Sequence, residues 1–537
     1  MFSRSARAAV RRGVAVRPVL LLAAVAALAL PGTAAAEAGD ADAALAQALA
    51  LFEPAQARAL YGDATRPDGR ETTLVLRDLA AGLDELSPRQ RAIAQRILAR
   101  PTDRNDAIKP YRSKARSTCD ARMCFWWVSE GADAPPRADR NRNRVPDWVE
   151  TTRAVFRKVW IAEVGSRRYR RPLSDLRSRN HGRNGKLDVY LADVGGRGIY
   201  GYCTSDDPRR ARSFAVSAYC VVDDDFSRRQ FTAGTSGRRA LEVTAAHEFF
   251  HAVQFAYDWL EDRWLMEGTA SWMEDEVYPT INDNLQYLPS SPVGRNLFWL
   301  PLDGWNPDGN SPQSSFVYGT WIFWRHLDER FGAAVVRDVW NRVRGAPFAI
   351  QAVNAALMAR GTTFGDVFPA FGVANFTPET SYAEGPLYRT VRNVGPEPSA
   401  TYELTSAAPA VNPAPIEMPH MSNDYYGFVP GPGLTAASTL AVRVTAQGVG
   451  GAANLIVFNV DGTRTVVPVP IFGGTSSLTT VPFGLGAVAR VTLVLTNAST
   501  RFDRCGDATR PPYYSCYGFP VDDHAYTFTA TANPDKP

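Results

Sequence analysis

The sequence predicts an α+β protein built as an N-terminal helical region, a mixed α+β centre and a C-terminal β-sandwich. Three observations predict it. At 537 residues the chain is too long for one ordinary domain and has ample material for several cores. The apolar pattern changes along the chain, from helical spacing, to strand-like runs alternating with long helical stretches, to short β-rich runs set off by turn residues. Hydrophobic residues make up 45% and charged residues 21%, the balance of an ordinary globular protein, which excludes wholesale disorder and collagen-like composition.

Residues 1–36 read as a cleavable secretory signal: arginines, then the apolar run Val19 to Leu30, then Pro31, Gly32 and small residues through Ala36. The run is too short to span a bilayer, and no later segment is long and apolar enough, so no membrane anchor is expected. The formal net charge of +4 misleads. Of 59 basic side chains five (Arg4, Arg7, Arg11, Arg12 and Arg17) lie in this segment, which holds no Asp or Glu, leaving 54 against 55 acidic ones. That balance gives no electrostatic ground for a nucleic-acid partner. The expected location is secreted, extracellular or periplasmic. All six cysteines follow the signal, and in an exported chain local pairing predicts the disulfides Cys119–Cys124, Cys203–Cys220 and Cys505–Cys516.

Residues 37–117 are rich in Ala, Leu, Arg and Glu, with helical stretches over Ala43 to Leu60 and Leu74 to Leu98 punctuated by Pro67, Pro88 and Pro101. They form a pro-region or an integral N-terminal subdomain. The centre, 118–395, has strand candidates at Lys186 to Leu191 and Phe214 to Val222, and helix candidates at Arg238 to Trp259, Trp264 to Val277 and Val317 to Phe331. Residues 396–537 shift to Pro, Gly, Thr, Ser and Val. Short runs such as Thr439 to Thr445, Leu455 to Asn459, Arg464 to Val469, Val491 to Thr496 and Ala525 to Ala530 are spaced as in a β-sandwich.

The chemistry concentrates in His247-Glu248-Phe249-Phe250-His251. Histidine is scarce, with six in the chain, so this pattern inside a strong helical stretch is hard to obtain by accident. Residues four apart share a helix face, about 6 Å apart along the axis, so both imidazoles can grip one ion. Glu248 projects about 100° away and can act on a water at the metal without ligating it. Neutral imidazole plus carboxylate suits Zn²⁺, and a third ligand is required. Glu267, in Trp264-Leu265-Met266-Glu267-Gly268-Thr269-Ala270, is the natural candidate; Glu274, two turns further on the same face, is its rival.

The His247-Glu248-x-x-His251 motif followed by this Trp-Leu-x-Glu-Gly-x-Ala segment resembles the gluzincin metallopeptidases, and most nearly exported bacterial enzymes of the hyicolysin type. The likeness is strict over Leu241 to Val277 and loose over Cys119 to Tyr388. It is not to the metzincins, because Gln254 and Tyr257 stand where those have glycine and a third histidine. The resemblance implies a zincin-like catalytic domain, zinc held by His247, His251 and Glu267, and Glu248 as general base. Thermolysin-like enzymes carry an acidic supporting residue four positions after the ligand glutamate; this chain has Ser271 there, which leaves Glu274 or Asp275 as the substitute. Tyr318, at a helix start, is the candidate oxyanion donor.

A second motif, Asp139-x-Asn141-x-Asn143-x-Val145-x-Asp147-x-x-Glu150, spaces oxygen ligands as a calcium loop does, Val145 offering its carbonyl. Arg144 departs from it by standing where glycine is usual. The expected function is a secreted zinc-dependent peptidase acting on protein or peptide, with calcium as a second cofactor. The alternatives are a secreted adhesin or carbohydrate-binding surface protein with an inactive zinc-site relic, and a zinc hydrolase of other amides or esters.

Overall fold

The computed structural model describes residues 39–62, 66–103, 107–182, 184–210, 213–232, 234–304, 315–345, 348–501 and 524–533. The signal-like segment and the Cys505–Cys516 pair lie outside the described residues. The architecture is mixed, with helices and several β-sheets.

The N-terminal region contains α1 (Gly39–Phe52), α2 (Pro54–Tyr61), α3 (Thr72–Ala81) and α4 (Pro88–Ile97). The first expected stretch breaks after Phe52 because Pro54, lacking an N–H, opens a new helix. The second is cut between Ala81 and Pro88, where Ser87 and Gln90 form a capping box that starts α4. These helices share one hydrophobic core with the centre, Leu45, Leu76 and Leu79 joining the same cluster as Phe249 and Trp272. Just beyond α4, the fully buried Arg100 bridges Asp175 and Asp188 at 2.9 and 2.6 Å and reaches the part-exposed Asp206 at 2.8 Å. This ties the region to the central sheet.

That sheet runs β1-β2-β3-β5-β4, from β1 (Arg116–Cys119), β2 (Met123–Trp127), β3 (Leu187–Ala192), β4 (Gly201–Thr204) and β5 (Tyr219–Asp223). The inner strands β2, β3 and β5 are parallel, while β1 and β4 run antiparallel at the two edges. The disulfides Cys119–Cys124 and Cys203–Cys220 staple these edge pairs, as local pairing predicts. The strand expected from Phe214 starts only at Tyr219. The residues before it serve the end of a helix instead: Val216 N–H donates to Phe255 O and Trp259 N–H to Phe214 O, each at 2.9 Å.

On the sheet lie α5 (Asp147–Trp160) and α6 (Arg238–Gln254), and α7 (Arg263–Val277) packs on α6. Helix α6 packs against α5, α7, β4 and β5, so it is buried on nearly every face and shows no amphipathic stripe. The expected helix Val317 to Phe331 is two, α8 (Phe316–Gly319) and α9 (Trp321–Phe331). It divides at Thr320, whose hydroxyl donates to Val317 O at 2.7 Å and to Trp264 O at 3.2 Å.

The C-terminal residues form a five-stranded and a seven-stranded sheet. Leu455 and Leu493 from one and Val442 and Phe528 from the other meet in a shared core, which gives the facing-sheet arrangement its stability. This unit abuts the centre through Tyr425, whose hydroxyl donates to Gly372 O at 2.9 Å. No helix among the described residues is long and apolar enough to cross a membrane.

Candidate metal centre

The helical spacing of His247 and His251 puts their ring centroids 4.8 Å apart. Helix α7 brings Glu267 to them: Glu267 Oε2 lies 3.1 Å from His247 Nε2 and 3.7 Å from His251 Nε2. One ligand atom from each of the three residues lies within 4.8 Å of the others, and all three residues are buried. Gly268 makes this approach possible. A Cβ there would fall 2.3 Å from Thr320 Oγ1 and 2.7 Å from Trp324 Nε1, so only glycine lets α7 press against the α8–α9 turn.

The other ring nitrogens are already engaged. Glu274 Oε1 lies 2.8 Å from His247 Nδ1, and Gln254 Oε1 lies 2.7 Å from His251 Nδ1. Gln254 is fixed in turn by its amide donating to Met266 O at 2.9 Å. Each Nε2 is thereby left for the centre. Glu274 sits on the far side of His247 from Glu267, which is the place of a supporting residue rather than a third ligand. Asp275 turns away to pair with Arg325.

Two atoms of the cluster, His251 Nε2 and Glu267 Oε1, are buried without a hydrogen-bond partner. Two imidazole nitrogens and a carboxylate converging in this way fit the borderline-soft donor set of Zn²⁺. Burial works against a charged Glu267, but the neighbouring His251 and His247 outweigh it and hold the carboxyl down at about 2. Burial pushes Glu248 up, against the opposing pull of His251 and His247.

Glu248 faces the cleft beside the histidines. Its Oε2 accepts a hydrogen bond from Thr73 Oγ1 at 2.8 Å. Tyr318 is brought to the same cleft, its ring stacked on His247 at 6.1 Å and on Tyr287 at 5.1 Å. Its hydroxyl is buried without a partner. The cleft itself holds only about 40 Å³, between Arg70, Tyr200, His247, Glu248, Tyr287 and Tyr318.

The N-terminal region borders it. Thr73 Oγ1 accepts from Cys203 N–H of β4 at 2.9 Å, and the Arg70 guanidinium lies over the Tyr200 and Tyr287 rings at 5.2 and 5.7 Å. Gly69 backs onto Gly198, where a Cβ would meet the carbonyl oxygen at 2.2 Å. Helix α3 is anchored to the approach of α7 by Arg77, which donates to Glu261 O at 2.8 Å, and by the Asp78–Arg263 ion pair. The sequence reading did not single out Thr73, Arg70, Tyr200 or Tyr287. Gln254 carried a usable signal, its position one turn after His251.

The expected calcium loop folds around its own polar groups. Asp139 accepts from Asn143 N–H and Arg144 N–H at 3.1 and 2.8 Å, and Glu150 accepts from the Asn141 and Asn143 amides at 2.8 and 2.7 Å. Val145 N–H donates to Asn143 Oδ1 at 2.8 Å, and Asp147 accepts from Arg140 N–H at 3.0 Å. Arg144 adopts φ 71°, the conformation that glycine supplies in such loops. The loop carboxylates are not among the groups whose oxygens already lie within 4.8 Å of one another.

No family model and no curated protein matches this sequence. Among the solved structures similar in part are the following two. The pre-peptidase C-terminal domain of collagenase from Bacillus anthracis, 10% identical with a TM-score of 0.14, covers 26% of this chain and 97% of its own. The family GH115 4-O-methyl-alpha-glucuronidase BtGH115A, 9% identical with a TM-score of 0.13, covers 58% of this chain, which spans 43% of that enzyme. Neither likeness is strong enough to bear on function.

Proposed function

We propose that this protein is an exported zinc-dependent peptidase of gluzincin type, with a zincin-like catalytic centre formed by the mixed sheet and α5 to α7. The observation that carries the reading is the convergence of His247, His251 and Glu267, with His251 Nε2 and Glu267 Oε1 buried and unpartnered. Glu267 Oε2 lies 3.1 and 3.7 Å from the two Nε2 atoms, and an unmet buried polar atom costs about 1–3 kcal/mol, which a metal ion at this point would relieve. The two disulfides support export.

Zinc held by these residues would supply Lewis-acid polarisation of the scissile carbonyl and a more acidic water. Glu248 takes the proton of the attacking water and returns it to the departing amine. Tyr318 donates its hydroxyl to the developing oxyanion. Strand β4 is a sheet edge, and an extended peptide adds to such an edge through main-chain hydrogen bonds. Here Thr73 takes the N–H of Cys203 and the carboxylate of Glu248 together. Thr73 of α3 thus occupies both the β4 edge and Glu248, and α3 must move before a peptide pairs with that edge.

The test is cleavage of casein or a peptide library by the processed chain. Chelation abolishes it, Zn²⁺ restores it, and Glu248→Gln removes it while the metal stays bound. Cleavage by Glu248→Gln at the wild-type rate contradicts the mechanism.

A further inference from the structure

We propose that Asp193, Asp223 and Asp224 form a calcium site at the C-terminal ends of β3 and β5, separate from the histidine centre. It stands whether or not the zinc reading does. Strands β3 and β5 are parallel neighbours with Ala192 opposite Asp223, so the residues that follow them are delivered side by side. One carboxylate oxygen from each of the three aspartates lies within 4.8 Å of the others. Oxygens on opposite sides of a calcium ion, at about 2.4 Å each, are separated by about that span.

Asp224 is what makes this more than a collection of acids. It is 5% exposed, yet its carboxylate has neither a hydrogen bond nor an ion pair among the described residues, and one of its oxygens lies within 4.8 Å of oxygens of Asp193 and Asp223. The charged groups bearing on it most are Asp223, Asp225, Asp193 and Asp133, all carboxylates. Asp223, by contrast, accepts from Gly195 N–H at 2.6 Å and Phe226 N–H at 2.7 Å, and Asp193 accepts from the Gln230 amide at 2.6 Å. Two ligands are thus held rigid while the third has no protein donor. A buried, unpaired carboxylate amid others needs a proton or a cation. The all-oxygen donor set, with no histidine or thiolate, selects a hard cation over zinc.

Such an ion would fasten the sheet end beside the cleft. Asp223 N–H donates to Tyr200 O at 3.0 Å, and Tyr200 precedes β4 and lines the cleft. The test uses the full chain carrying Asp139→Ala, which removes the separate loop from the reading. Calorimetric titration with CaCl₂ and melting with and without Ca²⁺ are compared before and after adding Asp224→Asn, with Asp193→Asn as a second variant on a part-exposed position. The expected result is calcium binding weakened more than about tenfold and loss of the calcium-dependent rise in Tm. In chelator, Asp224→Asn melts at or above its parent, since a like charge has gone. Unchanged calcium affinity in both aspartate variants, or a parent whose Tm and heat do not respond to Ca²⁺, would overturn the proposal and leave a shared proton as the occupant.

Discussion

Each histidine of the pair offers Nε2 because its Nδ1 is held, His247 by Glu274 and His251 by Gln254. Outer partners of this kind fix ring orientation and raise ligand basicity. Glu274→Ala should therefore weaken zinc affinity by about 10- to 100-fold, read by competition with a chromophoric chelator. Unchanged affinity would show that Glu274 does not support the ligand. The histidine pair was legible in the sequence because two ligands four residues apart on a helix carry a geometric signature by themselves. The ranking of Glu267 over Glu274 was read there too, but its physical reason was not. Both lie on α7, and only the crossing of α7 over α6 puts Glu267 at Nε2 and Glu274 at Nδ1.

At the scale of the element, the contact between α7 and the α8–α9 turn positions the glutamate. Gly268→Ala places a methyl where Thr320 Oγ1 and Trp324 Nε1 already stand, and overpacking of this kind costs about 1–3 kcal/mol. We expect thermal unfolding to register that loss, together with weaker zinc binding as Glu267 is pushed from the histidines. A variant with wild-type stability and zinc affinity would show that α7 has slack. The elements named from periodicity, among them β3, α6 and α7, are present but with shifted ends, and β1, β2 and β4 were not singled out. Pro54 and Pro88 mark breaks openly. The division at Thr320 and the late start of β5 depend on hydrogen bonds to Trp264 and Phe255, partners remote in sequence.

Across the whole molecule, composition separated the helical N-terminus, the mixed centre and the β-rich C-terminal part, but it left open whether the first was a pro-region or an integral subdomain. It has features of both. Arg100 is bound into the buried aspartates of the sheet, while Thr73 of α3 engages Glu248 and the β4 edge. A cut in the Gly82 to Ser87 connection would free Thr73 without removing Arg100. The intact chain should be nearly latent, and activity should rise as that connection is cleaved, followed by peptide assay alongside N-terminal sequencing. Full activity from an uncut chain with α3 cross-linked in place would contradict the occlusion.

The central claim is that one zinc ion is held by two imidazoles and a carboxylate. Zinc K-edge absorption on the purified chain measures that shell directly. We expect only nitrogen and oxygen neighbours at about 2.0–2.2 Å, with one equivalent of metal that is lost in Glu267→Ala. Sulfur neighbours, or a zinc content that Glu267→Ala leaves intact, would contradict the account.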